Sequence, residues 1–311
     1  MHNTKIFMPP PLSTTSDGDL LSQKKKKNAS RNLHAMSLCK IRRNTYFIIA
    51  SCAFNDRKTN ISIPLMFRNV MDQKFRDLFS LGDIIHICGS PGSGKTQLVL
   101  QLCVCVQIPK FLHGLGSEAI FIDTDSGFSI AKISEIAEAV VDECKNLGQC
   151  HDKRENVNEF TVETILKKIH YLQISSYHEL LAAVHSLHSF LTKHLMVKLI
   201  VIDSLVFPFI GMSNTLERTR LVLTVINKLH HLAGMFNLVV VITNHMVTKV
   251  TKQTSYILPS MGESVSHSIP QTLWLHKVGN HFYATVLKSN KLPNSEIMLE
   301  VPRRGQQIWE K

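Results

Sequence analysis

Eight consecutive residues have the composition of a loop that wraps around phosphate groups. They read Gly89-Ser90-Pro91-Gly92-Ser93-Gly94-Lys95-Thr96 and match the pattern GxxxxGK[ST] without a mismatch. Glycines in such a loop let backbone N–H groups turn inward around phosphate oxygens, and a following helix adds its positive N-terminal end. Lys95 offers a cation to the phosphates, and the Thr96 hydroxyl is a ligand for Mg²⁺. The loop therefore predicts a site for a nucleotide and a magnesium ion.

A carboxylate for the same magnesium ion is expected at the end of a neighbouring strand. Residues 199–202 form a short apolar run, and Asp203 follows directly. Because the carboxyl ends of parallel strands meet along one edge of a sheet, Asp203 would lie near the phosphate loop. Apolar runs that end in aspartate are common, so this prediction depends on the parallel-sheet pattern around it.

Short apolar runs alternate with helical patterns around these residues. The runs predict strands at 84–88, 119–123, 170–174, 199–203 and 238–243, and helices at 96–106, 130–144, 177–193 and 216–233. This alternation is typical of an α/β fold with a mostly parallel sheet and helices on both faces. Three later runs with short connections, 273–278, 282–288 and 297–301, predict a C-terminal antiparallel extension.

Composition divides the chain into four segments. Residues 1–43 contain nine basic and two acidic side chains, which predicts a basic disordered leader suited to nuclear import or to attraction by phosphate backbones. A solvated leader without a function is the alternative. We expect a linker or interface segment at 44–81, the folded core at 82–302 and a tail at 303–311.

Cysteine usage and hydropathy bear on the compartment. The seven cysteines include no CxxC pair, so reduced, buried thiols are expected rather than a zinc site. The apolar runs are shorter than a membrane span, and the polar, lysine-rich beginning is unlike a secretory signal. We therefore expect no membrane partner and a nuclear protein, with a cytoplasmic pool as an alternative.

The residues on either side of the phosphate loop resemble the eukaryotic RecA-like recombinases, and most of all their C-type paralogue. The matching strings are Gly94-Lys95-Thr96-Gln97-Leu98, Gln107-Ile108-Pro109 and Glu118-Ala119-Ile120-Phe121-Ile122-Asp123-Thr124-Asp125, with further short matches up to about residue 302. The resemblance implies a RecA-like P-loop core that binds ATP and Mg²⁺. It also implies a DNA-dependent ATPase that mediates homologous recombination and double-strand-break repair, including meiosis. The implied partners are single-stranded and branched DNA, other recombinase paralogues and the main recombinase.

Two positions depart from the family pattern at the catalytic centre. Where the family has a glutamate that activates the attacking water, this chain has Asp125, which is shorter by one methylene. A second prediction for Asp125 is an N-cap of the helix at 130–144. The family sequence Thr-Asn-Gln, whose amide senses the γ-phosphate, reads Thr243-Asn244-His245 here. Hydrolysis is therefore expected to be slow, and the histidine at 245 puts the coupling from ATP to the DNA-binding segment in doubt.

The resemblance also implies two DNA-binding segments. The first offers Arg218 and Arg220, although both begin a helical pattern and a solvated helix face is the alternative. The second, residues 246–261, contains no acidic side chain and is expected to be a loop. It offers Lys249 and Lys252 for phosphates and Tyr256 for base stacking.

Contacts between subunits are implied at two further places. Phe47 and Ala50 match the FxxA plug that family members insert into a neighbour, although residues 128–131 also fit that pattern. Lys288 takes a position from which family members reach a neighbour's nucleotide. A solvated lysine at a strand end is the alternative for Lys288.

Two other functions compete with a DNA-dependent ATPase. Asp125 and His245 favour a scaffold that binds ATP but scarcely hydrolyses it. A small-molecule P-loop kinase is also compatible with the loop, but the sequence has no evident cluster of lid arginines. ATP turnover measured with and without single-stranded DNA distinguishes the ATPase from the scaffold. The kinase predicts phosphotransfer to a metabolite and no salt-sensitive DNA binding.

Overall fold

The computed structural model of the chain describes residue 63 and residues 77–150, 159–250, 255–260, 262–279 and 281–299. The strands in these ranges are β1 (Ile84–Gly89), β2 (Glu118–Asp123), β3 (Ile169–Gln173), β4 (Val197–Asp203), β5 (Val239–Val250), β6 (Ser255–Pro259), β7 (Gln271–Val278), β8 (His281–Lys288) and β9 (Glu296–Leu299). The α-helices are α1 (Lys95–Cys105), α2 (Ile130–Cys150), α3 (Val162–Lys167), α4 (Tyr177–Lys193), α5 (Thr215–Phe236) and α6 (Gly262–Ser268).

Polar side chains set the ends of several helices. Ser176 precedes α4 and accepts a hydrogen bond from the backbone of Glu179, and Asn214 precedes α5 and accepts one from Glu217. These contacts satisfy N–H groups that the first helical turn leaves without partners. Asn237 ends α5 in a left-handed conformation, with φ 48°, which asparagine adopts more readily than most residues.

The central strands are apolar on both sides because helices cover both faces of the sheet. Along β4, Leu199 and Val201 pack in one buried cluster while Ile200 and Ile202 pack in the other. Helices α1 and α2 contribute to the first cluster, and α4 and α5 contribute to the second. The period of two along the strand therefore separates two cores, which gives three layers.

The strands form one sheet in the order β3-β2-β4-β5-β1-β7-β8-β9. The pairs from β3 through to β7 are parallel, whereas β7–β8 and β8–β9 are antiparallel. This arrangement confirms the α/β fold class, including the mostly parallel sheet and the C-terminal antiparallel extension. Its carboxyl edge carries the residues of the phosphate loop.

The expected loop at 246–261 is wrong for most of its length. Strand β5 continues to Val250 and pairs antiparallel with β6, with Lys249 opposite Tyr256. Both arms are rich in β-branched and aromatic residues, which favour extended pairing over a loop. Residues 246–250 and 255–259 are the two arms of a hairpin that continues directly from the central part of β5.

The first proposed DNA segment is also regular structure. Arg218 and Arg220 lie in the first two turns of α5, so the expected mobile segment is a helix at this point. Arg220 is exposed, as the alternative of a solvated helix face predicts, whereas Arg218 is half-buried.

The packed unit also includes residues before position 82. Ile63, Leu78 and Phe79 are buried in the same cluster as α1, and the backbone N–H of Ile63 donates to the Phe79 carbonyl across 3.0 Å. The division of the chain at 43, 81 and 302 stays a prediction. In the described part of the chain, no helix has the length and apolar character needed to cross a membrane.

Candidate nucleotide-binding site

The phosphate loop connects the carboxyl end of β1 to the first turn of α1. Gly94 precedes the helix with φ 94°, a left-handed conformation that glycine adopts without strain. At Gly89, an added Cβ atom would lie 2.4 Å from the Leu275 carbonyl oxygen on the adjacent strand β7. These glycines therefore allow a tight turn directly against the sheet.

The Lys95 side chain folds back onto the phosphate loop. Its Nζ donates to the carbonyl oxygens of Gly89 at 2.9 Å and Ser90 at 3.0 Å. Burial lowers the pKa of Lys95, and the carboxylates of Asp203 and Asp125 oppose that shift. The lysine thus faces both the loop carbonyls and the acidic groups of the neighbouring strands. A phosphate group would provide a stronger, charged partner for it.

Thr96 and Asp203 meet although they are far apart in the chain. The Thr96 hydroxyl donates to Asp203 Oδ2 across 2.8 Å, and the Thr243 hydroxyl donates to Asp203 Oδ1. A hydroxyl and a carboxylate beside a phosphate loop are oxygen donors of the kind that Mg²⁺ prefers. The buried Ser93 Oγ and Asp125 Oδ1 have no hydrogen-bond partner among the described residues. This donor set fits a nucleotide with Mg²⁺.

Sequence reasoning missed the role of Asp123. Its carboxylate accepts from the backbone N–H groups of Gly127 at 3.1 Å and Phe128 at 3.2 Å, and from the Tyr171 hydroxyl at 3.2 Å. The carboxylate therefore holds the loop that carries Asp125. The sequence pattern could have indicated a role for Asp123, because this residue ends an apolar strand in the same way as Asp203.

Thr124 connects the loop to the next strand. Its hydroxyl donates to the Ser204 carbonyl at 2.6 Å and accepts from the Ser204 backbone N–H at 2.8 Å. Asp123 and Asp203 are direct partners in the register of β2 and β4. Together these contacts fix the separation of the two strand ends.

Asp125 lies among charged groups and not at a helix end. Helix α2 begins at Ile130, and the side chain directly before it is Ser129, so the N-cap prediction for Asp125 is wrong. Burial, reinforced by the charges of Asp203 and Asp123, raises the pKa of Asp125 to about 6. A share of this carboxyl group is therefore protonated in mildly acidic solution.

His245 brings the second departure from the family pattern beside the first. Its Nε2 lies 3.8 Å from Asp125 Oδ2, and in the sheet register His245 is opposite Gly89. Burial, with a smaller contribution from the charge of Lys95, lowers the pKa of His245. The imidazole is accordingly neutral near pH 7 and has one N–H to donate. Both residues face the phosphate loop.

Lys288 is hydrogen-bonded to the end of α6 and to the residue that follows it, and not to the phosphate loop. Lys288 Nζ donates to the carbonyls of Ser266, His267 and Ile269 across 2.9 to 3.2 Å. All three of its N–H bonds are thus used within the chain, and its reach to a neighbour's nucleotide stays a prediction. Lys252, Phe47 and Ala50 lie outside the described residues.

Replacing Asp125 by Asn is expected to stabilise the nucleotide-free protein at neutral pH but not in acid. The folded pKa is about 6 against an ordinary value of 3.8, so the folded protein retains a proton that the unfolded chain has released. Ionisation of Asp125 therefore lowers the free energy of unfolding of the wild-type protein as the pH rises from about 4 to about 6. The difference in free energy of unfolding should grow across this window and then level off. Urea unfolding measures it, with the exposed Asp142→Asn as the control; an equal difference at every pH would contradict the assignment.

Comparison with known proteins identifies the family. The family model described as Rad51 matches residues 57–307. The chain is 33% identical over 281 residues to DNA repair protein RAD51 homolog 3 of Cricetulus griseus. The aligned region covers 89% of this chain and 72% of that protein. It is 34% identical over 206 residues to the protein of the same name from Dictyostelium discoideum, covering 65% of this chain and 54% of that protein.

A more distant relative comes from an archaeon. The chain is 29% identical over 230 residues to DNA repair and recombination protein RadA of Aeropyrum pernix, covering 71% of this chain and 66% of that protein. The parallel sheet, the phosphate loop and these matches agree. The chain belongs to the Rad51 family, as a eukaryotic RecA-like recombinase paralogue of the C type.

Proposed function

We propose that this chain binds ATP with Mg²⁺ and hydrolyses it slowly in a DNA-dependent manner, as a mediator of homologous recombination and DNA repair. The observation that carries the proposal is the convergence of Lys95, Thr96, Asp125 and Asp203 at the carboxyl edge of the sheet. Parallel sheets bind nucleotides at this edge because the strand ends and helix N-termini meet there. The names of the relatives refer to DNA repair and recombination.

In this proposal the loop residues Gly89 to Thr96 hold the phosphates through their backbone N–H groups. Lys95 would exchange its carbonyl partners for phosphate oxygens, since an anion is the stronger acceptor. Thr96 and Asp203 would hold the magnesium ion, directly or through water. When bound, Mg²⁺ neutralises negative charge on the phosphates and so assists their transfer.

Asp125 is the residue that would position the attacking water. Its carboxylate falls one methylene, about 1.5 Å, short of a glutamate, and misplacing a catalytic group by about 1 Å can cost roughly 100-fold in rate. His245, neutral and 3.8 Å from Asp125, would donate one hydrogen bond where the family has an amide. Slow turnover follows from both differences.

The β5–β6 hairpin supports a coupling between nucleotide and DNA. Strand β5 carries His245 beside the phosphate loop and Lys249 four residues further, opposite Tyr256. The base of the hairpin is tied because the Ser260 hydroxyl and the His245 backbone N–H both donate to Asn244 Oδ1. A change at His245 would therefore be passed along a continuous strand to the DNA-binding residues.

The proposed cellular role is that of a subunit in a paralogue assembly in the nucleus, acting in double-strand-break repair and meiosis. Single-stranded and branched DNA, other recombinase paralogues and the main recombinase are the proposed partners. The basic segment at 1–43 would assist nuclear import or DNA attraction.

A second candidate is an ATP-binding scaffold that scarcely hydrolyses ATP. The shorter side chain of Asp125 and the imidazole of His245, which lies 3.8 Å from it, favour this candidate, because both differ from the side chains that act on water and on the γ-phosphate in the family. Under this alternative, ATP would be held as a structural ligand between subunits. Binding without turnover is its signature.

Replacing Lys95 by Ala is expected to weaken Mg²⁺-dependent ATP affinity by about 100-fold, since a charged hydrogen-bond partner of the phosphates is lost. Turnover stimulated by single-stranded DNA should disappear with it. Isothermal titration and a phosphate-release assay measure the two effects, with the exposed Lys132→Ala as the matched control. Unchanged ATP affinity in Lys95→Ala would refute the site, and ATP binding without stimulated turnover in the wild type would favour the scaffold.

Lengthening Asp125 to Glu should raise the rate of ATP hydrolysis, by up to about 100-fold, because the carboxylate reaches the position found in the family. Asp125→Gln has the same length without the charge and is the control. Single-turnover phosphate release measures the chemical step. If Glu and Gln give the same rate, the carboxylate at this position does not act on water.

Replacing Lys249 and Lys252 together by Ala is expected to weaken binding of single-stranded DNA and to reduce its salt dependence. Each lost phosphate contact lowers the slope of log affinity against log salt by about 0.7, so the double variant should lose about 1.4. Fluorescence anisotropy at several salt concentrations measures the slope. Lys132→Ala/Lys193→Ala, two exposed lysines on other helices, serves as the control. An unchanged slope would exclude the hairpin as a phosphate contact.

A further inference from the structure

Three side chains with metal-binding atoms converge at the β3 edge of the sheet, away from the phosphate loop. Glu118 is the first residue of β2, His170 lies in β3, and His194 directly follows α4. One ligand atom from each lies within 4.8 Å of the other two. Glu118 is five residues before Asp123, so the cluster is separated from the nucleotide site by about 16 Å along the strand.

Backbone hydrogen bonds hold each of the three positions. The Glu118 N–H donates to the Met196 carbonyl at 2.9 Å, and the His194 N–H donates to the Phe190 carbonyl at 3.0 Å. His170 lies in the register of β2 and β3, opposite Ile120. The cluster is therefore built on a strand pair and a helix end rather than on a free loop.

One aromatic ring orients both imidazoles. The Phe190 ring stacks on His194 with centroids 4.1 Å apart, and it meets His170 edge-on at 5.1 Å. The His170 and His194 rings are themselves 5.1 Å apart. Packing of this kind reduces the rotamer freedom that metal binding would otherwise remove, so the ligands are partly pre-organised.

The donor set is that of a transition metal with an open coordination position. His170 Nε2 already lies 2.7 Å from Glu118 Oε2, and ligand atoms around one tetrahedral Zn²⁺ are separated by about 3.3 Å. Two imidazole nitrogens and one carboxylate oxygen suit Zn²⁺, with water in the fourth position. The side chains of His170 and Glu118 are 29% and 23% exposed, which leaves a path for the ion.

We propose that Glu118, His170 and His194 form a Zn²⁺-binding site that joins the edge strand β3 to β2 and to the end of α4. The site uses no cysteine, so the lack of CxxC pairs in the sequence does not bear on it. Cys88, Cys103, Cys105 and Cys144 are all buried. By binding the folded state only, Zn²⁺ stabilises the arrangement of the three elements.

The test is a titration of the full-length, chelator-treated protein with Zn²⁺ and Co²⁺. Wild type should bind one equivalent more than His194→Asn or Glu118→Gln, and should give visible d–d bands of tetrahedral Co²⁺ that both variants lack. Zn²⁺ at about 100 times its Kd should also raise Tm by about 5 °C in the wild type alone. His185→Asn, an exposed histidine on the same helix α4, is the matched control and should behave as wild type.

Metal affinity elsewhere in the chain does not affect this comparison, because only the difference between proteins is scored. Equal stoichiometry and equal Co²⁺ spectra in wild type, His194→Asn and Glu118→Gln would overturn the proposal and leave a histidine–carboxylate hydrogen bond. Far-UV circular dichroism and ATP affinity, measured in parallel, should match in all four proteins because the cluster is remote from the phosphate loop. A variant that lost Zn²⁺ only through unfolding would also differ from wild type in circular dichroism and in ATP affinity. Loss of Zn²⁺ in Glu118→Gln, with an unchanged spectrum and unchanged ATP affinity, would support the site.

Discussion

Charge balance at one edge of the sheet is the constraint on which the candidate nucleotide site depends. Asp123, Asp125 and Asp203 bring three carboxylates to the ends of two neighbouring strands. Burial lowers the pKa of Lys95, and the charges of Asp203 and Asp125 oppose that shift. Buried charges are costly unless they are paired or hydrogen-bonded. Asp203 is satisfied by the hydroxyls of two threonines and Asp123 by backbone N–H groups. Asp125 is the carboxylate left with an unpartnered buried oxygen, which is the group expected to act on a ligand.

The two departures from the family pattern lie side by side. The Nε2 atom of His245 is 3.8 Å from Oδ2 of Asp125. The imidazole is uncharged near neutral pH because burial and Lys95 disfavour its protonation. The pair therefore retains an acceptor and a donor beside the phosphate loop, although neither has the reach of the family's side chains. This favours nucleotide binding over rapid chemistry.

Three separate parts of the sheet carry the candidate sites and the side-chain contacts described above. The carboxyl edge holds the phosphate loop, and β5 extends beyond it into the hairpin with Lys249. On the other side of β1, the antiparallel strands β7 and β8 present Lys288, which closes the end of α6 through three carbonyls. At the opposite edge, β3 is stabilised by the contacts of His170 with Glu118. One rigid sheet thus positions separate sites at fixed distances.

The sequence by itself determined the fold class, the phosphate loop and the acid at Asp203, because glycine patterns and apolar periodicity are local properties of the chain. It did not determine that residues 246–250 pair with residues 255–259, since the pairing of two strands depends on their register. Only the tertiary structure decided that His245 faces Asp125 and that Glu118 meets two histidines. Those distances join segments far apart in the chain, and they follow from strand order and helix packing rather than from any local pattern of residues.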